Sequence, residues 1–453
     1  MSFCENTMHM SWKFPINLLF KLQKRLFKAA YVLDNKKLFD FQKLILQSNC
    51  ARLLAIREVT QLSSDKDISG IDGKISLNFS EKFQLNEYLK LNWNNWKVQS
   101  LRKVLYIKNK EHIGCFKIPT VSDRIWQTLV KFAIEPVHEA LFHPFSYGFR
   151  FNISIYEVQK NLIFNLSKIS FGKQKRLIYL DISKATCYFK YNYLINKVIA
   201  PRNIKLTIFK FLEKGFVLEF PDDTIGRSTF SSLLLNILLD GIETLHHCIR
   251  YGYYILFFLR PNDDETFLIN NLQLFIRSLG LDLKSLKIKT FSSCKNFDFL
   301  NWNFKITNKT AIGLYIRPSY TNYQSFLKKV KRITNNSNYG SLIKVFKLFP
   351  IIKDWKTYHK YSHLKGLSYS LFFVRKRIFK VFNSESKQDF YSSKRLLSKC
   401  FSVSNLVNGK KVNDIFNIKN IKNFGHVVYL INFNNSLNGL NLCFCIHCGM
   451  KII

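Results

Sequence analysis

The feature that most constrains this 453-residue chain is its formal net charge of +39, from 69 Lys and Arg against 30 Asp and Glu. So many like charges repel one another, and a compact fold must spread them over its surface. Each phosphate that a Lys or Arg neutralises releases counterions and strengthens binding. We therefore expect a polyanionic partner, with nucleic acid as the first choice and an anionic membrane surface as the second.

The apolar and cysteine patterns indicate which class of protein this is. With 47% hydrophobic residues the chain can bury a sizeable interior, and its length favours two or three domains. The longest apolar runs, such as residues 233–239 and 253–259, are too short to cross a bilayer, so no membrane segment is expected. Most of the ten Cys are scattered and no secretory signal is seen, which favours reduced thiols inside a cell.

The hydrophobic periodicity predicts mixed helices and strands. Helical patterns cover residues 12–60, 123–141 with Asp123 as the N-cap, and 231–248, whereas residues 102–107 and 177–182 alternate like strands. These elements lack a regular strand–helix–strand rhythm. The expected fold class is therefore α+β with a palm-like sheet, rather than a doubly wound parallel sheet.

Two adjacent carboxylates, Asp263 and Asp264, stand out in a chain with few acids. They follow a strand-like run at residues 253–259 and a turn at Pro261 and Asn262, and they precede a second apolar run at 266–269. This pattern predicts the tip of a β-hairpin, where a template-directed polymerase holds metal ions. Ordinary turn chemistry explains the same residues, because Asn and Asp bond nearby backbone and Pro presets φ.

Four stretches, in order, resemble the group II intron reverse transcriptase and maturase family. They are residues 22–26 with 53–60 and 70–73; residues 118–124 continuing to 146–150 (Ser-Tyr-Gly-Phe-Arg); residues 180–182 (Leu-Asp-Ile) with Asp263-Asp264; and residues 349–358, which resemble the hallmark of the maturase domain. The resemblance covers residues 12 to about 380. It implies polymerase-like fingers and palm followed by an α-helical thumb, also called domain X.

The resemblance also implies a metal site. In the family, two divalent cations sharing carboxylates activate the primer hydroxyl and stabilise the leaving pyrophosphate. Hard oxygen ligands suit Mg²⁺. The residues implied as catalytic and metal-binding are Asp181, Asp263 and Asp264, with the acidic pair at the family's Tyr-Ala-Asp-Asp box.

The surroundings of these carboxylates depart from the family. Pro261-Asn262 replaces Tyr-Ala before the acidic pair, residues 225–227 (Ile-Gly-Arg) replace Pro-Gln-Gly, and residues 114–117 lack the Arg of the fingers. These changes affect nucleotide handling. We therefore expect that polymerase activity is lost, that the carboxylates are vestigial, and that no cofactor is needed unless polymerase activity and its Mg²⁺ survive.

The implied thumb is strongly basic, and basic helices suit the phosphate array of a folded RNA. The cations that we expect to bind RNA are Lys328, Lys329, Lys331, Arg332, Lys353, Lys356, Arg375, Lys376 and Arg377; Lys344 belongs to the same group. A generic solvated basic face is the alternative. Trp355 and Tyr358 are expected in the thumb core rather than as base-stacking residues.

The C-terminal segment carries Cys445 and Cys448 at the spacing of half a zinc site. Four ligands are needed and no second pair follows, so zinc is not expected and a cluster of free thiols is favoured. Cys443 or His447 completing a weak site is the alternative. The segment resembles the opening of the family's HNH endonuclease module.

The sequence thus predicts four domains: an N-terminal extension and fingers at 1–175, a degenerate palm at 176–313, a thumb at 314–383, and a basic linker with a zinc-like remnant at 384–453. The implied function is a maturase that binds structured group II or group III intron RNA and promotes its splicing; a homodimer is compatible with it. The alternatives are an active RNA-directed DNA polymerase and a general basic RNA chaperone. We expect the stroma of a plastid, with a mitochondrion as second choice.

Overall fold

The computed structural model describes residues 12–63, 66–109, 112–151, 153–185, 189–216, 229–283, 286–307, 313–364, 371–385 and 390–402, together with short strands at 443–444 and 451–452. The fold is α+β, as predicted, with helices predominating over small sheets. Contacts divide the chain into two compact units. The first comprises residues 1–151, 180–255 and 264–288, and the second comprises 152–179, 256–263 and 289–453.

The helices follow the apolar periodicity of the sequence. In the first 280 residues they are α1 (Lys13–Tyr31), α2 (Asn35–Gln47), α3 (Asn49–Arg57), α4 (Phe79–Asn92), α5 (Val121–Leu141), α6 (Ile155–Leu166), α7 (Tyr191–Lys197), α8 (Arg202–Glu213), α9 (Thr229–Leu239) and α10 (Glu265–Leu279). In the later residues they are α11 (Tyr320–Thr334), α12 (Ser341–Tyr358), α13 (Leu371–Glu385) and α14 (Phe390–Phe401). None of the helices that the structure describes is long and apolar enough to span a membrane.

The strands that the structure describes form four small sheets. They are β1 (Arg102–Asn109), β2 (His112–Ile118), β3 (Arg176–Asp181), β4 (Cys248–Tyr251), β5 (Tyr254–Leu259), β6 (Lys287–Ser292), β7 (Phe297–Phe299), β8 (Trp302–Ile306), β9 (Leu314–Pro318), β10 (Cys443–Phe444) and β11 (Lys451–Ile452). The sheet orders are β1-β2, β4-β5-β3-β6, β7-β8-β9 and β10-β11. The β1-β2, β7-β8, β8-β9 and β10-β11 pairs are antiparallel.

Helix α5 forms the centre of the first unit, and its start differs from the prediction. Thr120 is the N-cap, accepting a hydrogen bond from the backbone N–H of Asp123 at 3.3 Å. Asp123 instead lies buried in the first turn, where its carboxylate accepts from the Trp96 indole N–H at 2.7 Å. Burial raises the pKa of Asp123, and this indole bond opposes the rise. The hydroxyl of Thr120, one position before the helix, thus makes the cap.

Two further predictions of secondary structure were wrong. Helix α9 ends at Leu239 rather than near 248, because Gly241 adopts a left-handed conformation with φ of 98° and residues 248–251 form β4. The predicted basic linker, which begins at 384, contains α14, whose Leu396, Cys400 and Phe401 are buried in the core of the second unit. The Ser and Lys residues on the outer face of α14 gave the segment a linker-like composition, although its apolar residues recur at a helical period.

The second unit combines β7-β8-β9 with helices α11 to α14. Trp355 of α12 stacks on Phe326 of α11 with ring centroids 4.7 Å apart, and its indole donates to Asn322 Oδ1 at 3.0 Å. Tyr358 stacks on Trp302 of β8 at 5.0 Å and donates to the Leu300 carbonyl at 2.6 Å. Both aromatic residues are therefore held within the fold, as predicted.

Candidate nucleic-acid interface and candidate metal site

The acidic pair does not lie at the tip of a β-hairpin. The predicted second strand at 266–269 is the start of α10, and Asp264 is its N-cap. The Asp264 carboxylate accepts from the backbone N–H and the hydroxyl of Thr266, each at 2.8 Å. Helix α10 forms because Leu268, Leu272 and Ile276 recur at a helical period and are buried. The local role of Asp264 is therefore helix capping.

Asp263 is engaged in the turn before this helix. Its carboxylate accepts from the backbone N–H of Arg260 at 2.6 Å, and its carbonyl accepts from the guanidinium of Arg176. Arg176 is the first residue of β3. The turn that contains Asp263 is thus tied to the beginning of β3.

Asp181 lies at the other end of β3, as its last residue. Its carboxylate accepts from the backbone N–H of Ser183 at 3.0 Å, and the next residue, Ile182, donates its N–H to the Tyr253 carbonyl at 3.2 Å. Tyr253 immediately precedes β5, whereas the acidic pair follows β5. Six extended residues span about 20 Å, so β5 separates Asp181 from the pair.

These positions do not fit a shared magnesium site. Within the described part of the chain, no group of three or more His, Cys, Asp or Glu side chains is arranged to hold a metal ion. The residue after Asp181, Ile182, is instead bonded to Tyr253, which lies in the turn between β4 and β5, and Tyr254 is the first residue of β5. Sequence reasoning missed this turn, although Gly252 between two apolar runs was a signal for it.

A buried charged network supports the β4–β5 turn. The Arg250 guanidinium bonds the Glu243 carboxylate, and it donates to Asn236 Oδ1 at 3.0 Å and to the Ser146 hydroxyl at 2.6 Å. Arg250 and Glu243 have side chains with 0% exposure. Burial alone would raise the pKa of Glu243, but the charge and hydrogen bond of Arg250 hold that pKa below its ordinary value.

The Ser-Tyr-Gly-Phe-Arg segment packs against the same turn. The Tyr147 N–H donates to the Arg250 carbonyl at 2.8 Å, and Asn236 donates to the Gly148 carbonyl at 2.8 Å. A Cβ at Gly148 would overlap the backbone N of Gly252. Only glycine allows this close approach of two backbones.

The helices of the second unit carry most of the predicted RNA-binding cations. Residues 320–402 contain 18 Lys and Arg but only three Asp and Glu. The structure exposes Lys328, Lys329, Lys331 and Arg332 on α11 and Arg375, Lys376 and Arg377 on α13, and it leaves Lys353 and Lys356 of α12 partly exposed. The opposite faces of these helices bury the apolar cluster around Phe326, Leu348 and Ile378.

Lys344 differs from the other cations and was wrongly grouped with them. Its side chain is fully buried, and its ammonium group donates to the Thr334 carbonyl near the end of α11 at 3.0 Å. Lys344 thus joins α12 to α11.

Lys356 of α12 is partly exposed and has a lowered pKa. Partial burial lowers it most, and the nearby charge of Arg375 lowers it further.

Several predicted features lie outside the described residues. They are Cys445, Cys448 and His447 of the zinc-like segment and the replacement for Pro-Gln-Gly at 225–227. Of that C-terminal segment, the structure describes the pairing of Cys443–Phe444 with Lys451–Ile452.

Comparison with known proteins begins with the N-terminal region. Residues 8–89 match the family described as the N-terminal domain of reverse transcriptase. The chain is thus related to reverse transcriptases, the class that its motifs had indicated.

Two curated proteins resemble nearly the whole chain. Maturase-like protein 1 of Euglena gracilis is 56% identical over 444 residues, covering 98% of this chain and 96% of that protein. Maturase-like protein 1 of Euglena longa is 54% identical over 448 residues, covering 98% of each. The chain therefore belongs to the group II intron maturase-like family, which confirms the resemblance inferred from its motifs.

Proposed function

We propose that this protein is a maturase that binds the RNA of a group II or group III intron and promotes its folding and splicing, without acting as a polymerase. The observation that carries the proposal is the excess of exposed cations on α11 and α13, in a chain of the maturase-like family. The RNA supplies the splicing chemistry. The protein binds its phosphates and stabilises its folded form.

The β4–β5 turn supports the loss of polymerase activity. It reads Tyr251-Gly252-Tyr253-Tyr254 beside Asp181, and a Tyr-Ala-Asp-Asp box in this register would place its carboxylates at positions 253 and 254. Phenol groups are not ligands for Mg²⁺ at neutral pH, because an ordinary Tyr is protonated there. One remaining carboxylate cannot hold two cations without further carboxylate ligands. We therefore assign Asp181 as vestigial and Asp263 and Asp264 as structural.

The proposed domain organisation follows the family resemblance. Residues 1–175 would form the N-terminal extension and fingers, 176–313 the degenerate palm, and 314–383 the thumb, to which we now add α14. We further propose action in a plastid stroma, with a mitochondrion as second choice. RNA binding in this scheme requires no cofactor and no membrane, and a homodimer is compatible with it.

The RNA-binding proposal is tested by removing charge at one surface. Lys328, Lys329, Lys331 and Arg332 are replaced together by Gln, and binding to a group II intron RNA is measured by filter binding across salt concentrations. The slope of log K against log salt should fall by up to about 3.6, because each of the four lost phosphate contacts contributes up to about 0.9. The matched control replaces four exposed cations elsewhere, namely Lys28, Lys36, Lys43 and Lys90.

Equal weakening in both variants would contradict a binding site on these helices. Equal affinity for an unrelated structured RNA at about 0.15 M salt would favour a general RNA chaperone.

The second test separates a maturase from a polymerase. Loss of the protein should leave introns unspliced, and purified protein with Mg²⁺ should not extend a primer on an RNA template. Extension that disappears in Asp181→Ala would refute the proposed loss of polymerase activity and establish the competing function.

A further inference from the structure

The outward face of the sheet β7-β8-β9 brings an aromatic side chain and cations together. Alternate residues of β9 are buried, so Tyr315 and Arg317 point outward and remain partly exposed. In the register with β8, Tyr315 pairs with Lys305 and Arg317 pairs with Asn303. Directly paired residues on one face lie about 5 Å apart, so these four side chains share one surface.

The segment that follows α12 adds a second ring to this surface. The His363 backbone N–H donates to the Ile316 carbonyl at 2.7 Å, which fixes the segment along the edge strand β9. The imidazole of His363 then stacks on Tyr315, with centroids 4.6 Å apart and 28° between the ring planes. Both rings keep part of their surface in solvent, whereas a pair that only filled the core would be buried.

A third cation lies on the same segment. The ammonium group of Lys360 is 4.3 Å from the ring centroid of Tyr156 and 4.6 Å from that of Tyr361. The Tyr156 hydroxyl donates to the Thr357 carbonyl at 2.5 Å, which orients its ring at the end of α12. We call Tyr315, His363, Arg317 and Lys305 the aromatic surface, and Lys360 lies three positions before His363 on the adjoining segment.

We infer that the aromatic surface binds unpaired nucleotides of the RNA, with bases stacking on the Tyr315–His363 pair and phosphates contacting the flanking cations. Partly exposed aromatic rings beside cations suit single-stranded nucleic acid, because every base has a π face that a ring can cover. Bases inside a duplex are already stacked and cannot reach such a surface. The inference rests on the proposed RNA binding, and it separates a site for unpaired RNA from the phosphate contacts of α11 and α13.

The test compares two RNA probes on the full-length protein at about 0.15 M salt: an oligouridine of about twelve nucleotides and a blunt RNA duplex of the same length. Tyr315→Leu should weaken oligouridine binding about ten-fold or more, since loss of one stacked base has effects of this size. Duplex binding should stay within about two-fold. Tyr315→Phe retains the ring and should bind both probes as the unaltered protein does.

The matched control is Tyr320→Leu, because Tyr320 is 65% exposed on α11 outside the aromatic surface. Photocrosslinking of the oligouridine, read by mass spectrometry, should locate the label at Tyr315 or His363. Equal oligouridine binding by Tyr315→Leu and Tyr320→Leu, or crosslinks confined to other residues, would overturn the inference while leaving RNA binding intact. Failure of the unaltered protein to bind either probe or intron RNA would instead refute the proposed function.

Discussion

Replacement of Arg250 by Met should destabilise the first unit strongly. Both Arg250 and Glu243 are fully buried, so the substitution leaves a carboxylate in the interior without its counterion. It also removes the donors to Asn236 and Ser146. Removing one partner of a buried pair costs about 3–5 kcal/mol, a large fraction of the 5–15 kcal/mol that stabilises a typical protein.

The assay is urea unfolding combined with hydrogen–deuterium exchange of peptides covering residues 143–150 and 236–250, which isolates the affected region in a chain of two units. The exposed pair Lys90 and Glu87 provides the matched control, because Lys90→Met should change stability by less than about 0.5 kcal/mol. The double variant Arg250→Met/Glu243→Leu should recover at least about 2 kcal/mol, since the uncompensated charge is gone.

The pH dependence gives this prediction a second signature. Glu243 has a depressed pKa in the folded protein, so its stabilisation is present above the unfolded value of 4.5 and is lost as the pH falls below it. In Arg250→Met the charge and hydrogen bond that most lower the pKa of Glu243 are gone, so burial meets less opposition and this pKa rises. The variant should therefore gain stability as the pH falls from 7 towards 5. A cost no larger than that of Lys90→Met, unchanged with pH, would refute the reasoning.

Three further changes test other parts of the fold. Gly148→Ala should destabilise by about 1–3 kcal/mol in urea unfolding because its Cβ meets the Gly252 backbone, whereas Gly340→Ala, which meets open space, should be nearly neutral. Asp264→Ala should cost about 1 kcal/mol of thermal stability through loss of the α10 N-cap and leave intron binding unchanged; a loss of binding would contradict its structural role. Burial lowers the pKa of His138 to about 3, so His138 stays neutral in the folded protein while the unfolded chain binds a proton below about pH 6.5. The free energy of unfolding should therefore fall by about 2 kcal/mol as the pH is lowered from 7 to 5. His138→Gln should abolish that part of the pH dependence.

Much of the secondary structure could be predicted because apolar periodicity is a local property. The helices at 12–60 and the strands β1, β3 and β5 all occur as predicted, with small shifts at their ends. The error at α10 has a physical cause. The window at 266–269 is too short to distinguish a strand from a helix, whereas the later repeats at Leu272 and Ile276 establish the helical period.

The predicted metal ligands are not brought together, and the reason differs from the one at α10. The predicted ligands are 82 positions apart in sequence, and their juxtaposition depends on which ends of β3 and β5 meet. The hydrogen bond from Ile182 to Tyr253 sets that register, and it brings tyrosines to Asp181. Residue type predicts what a side chain can bind, but strand register determines which side chains meet.

The sequence by itself determined the family and most of the helices, and it predicted a polyanionic partner, because charge, motif order and periodicity are carried by the residues themselves. Only the tertiary structure decided that Asp264 caps a helix, that Lys344 is buried among otherwise exposed cations, and that Tyr315 and His363 stack although 48 positions separate them. Each of these depends on long-range packing, in which the same residue type is exposed or buried according to the face that the fold presents to solvent.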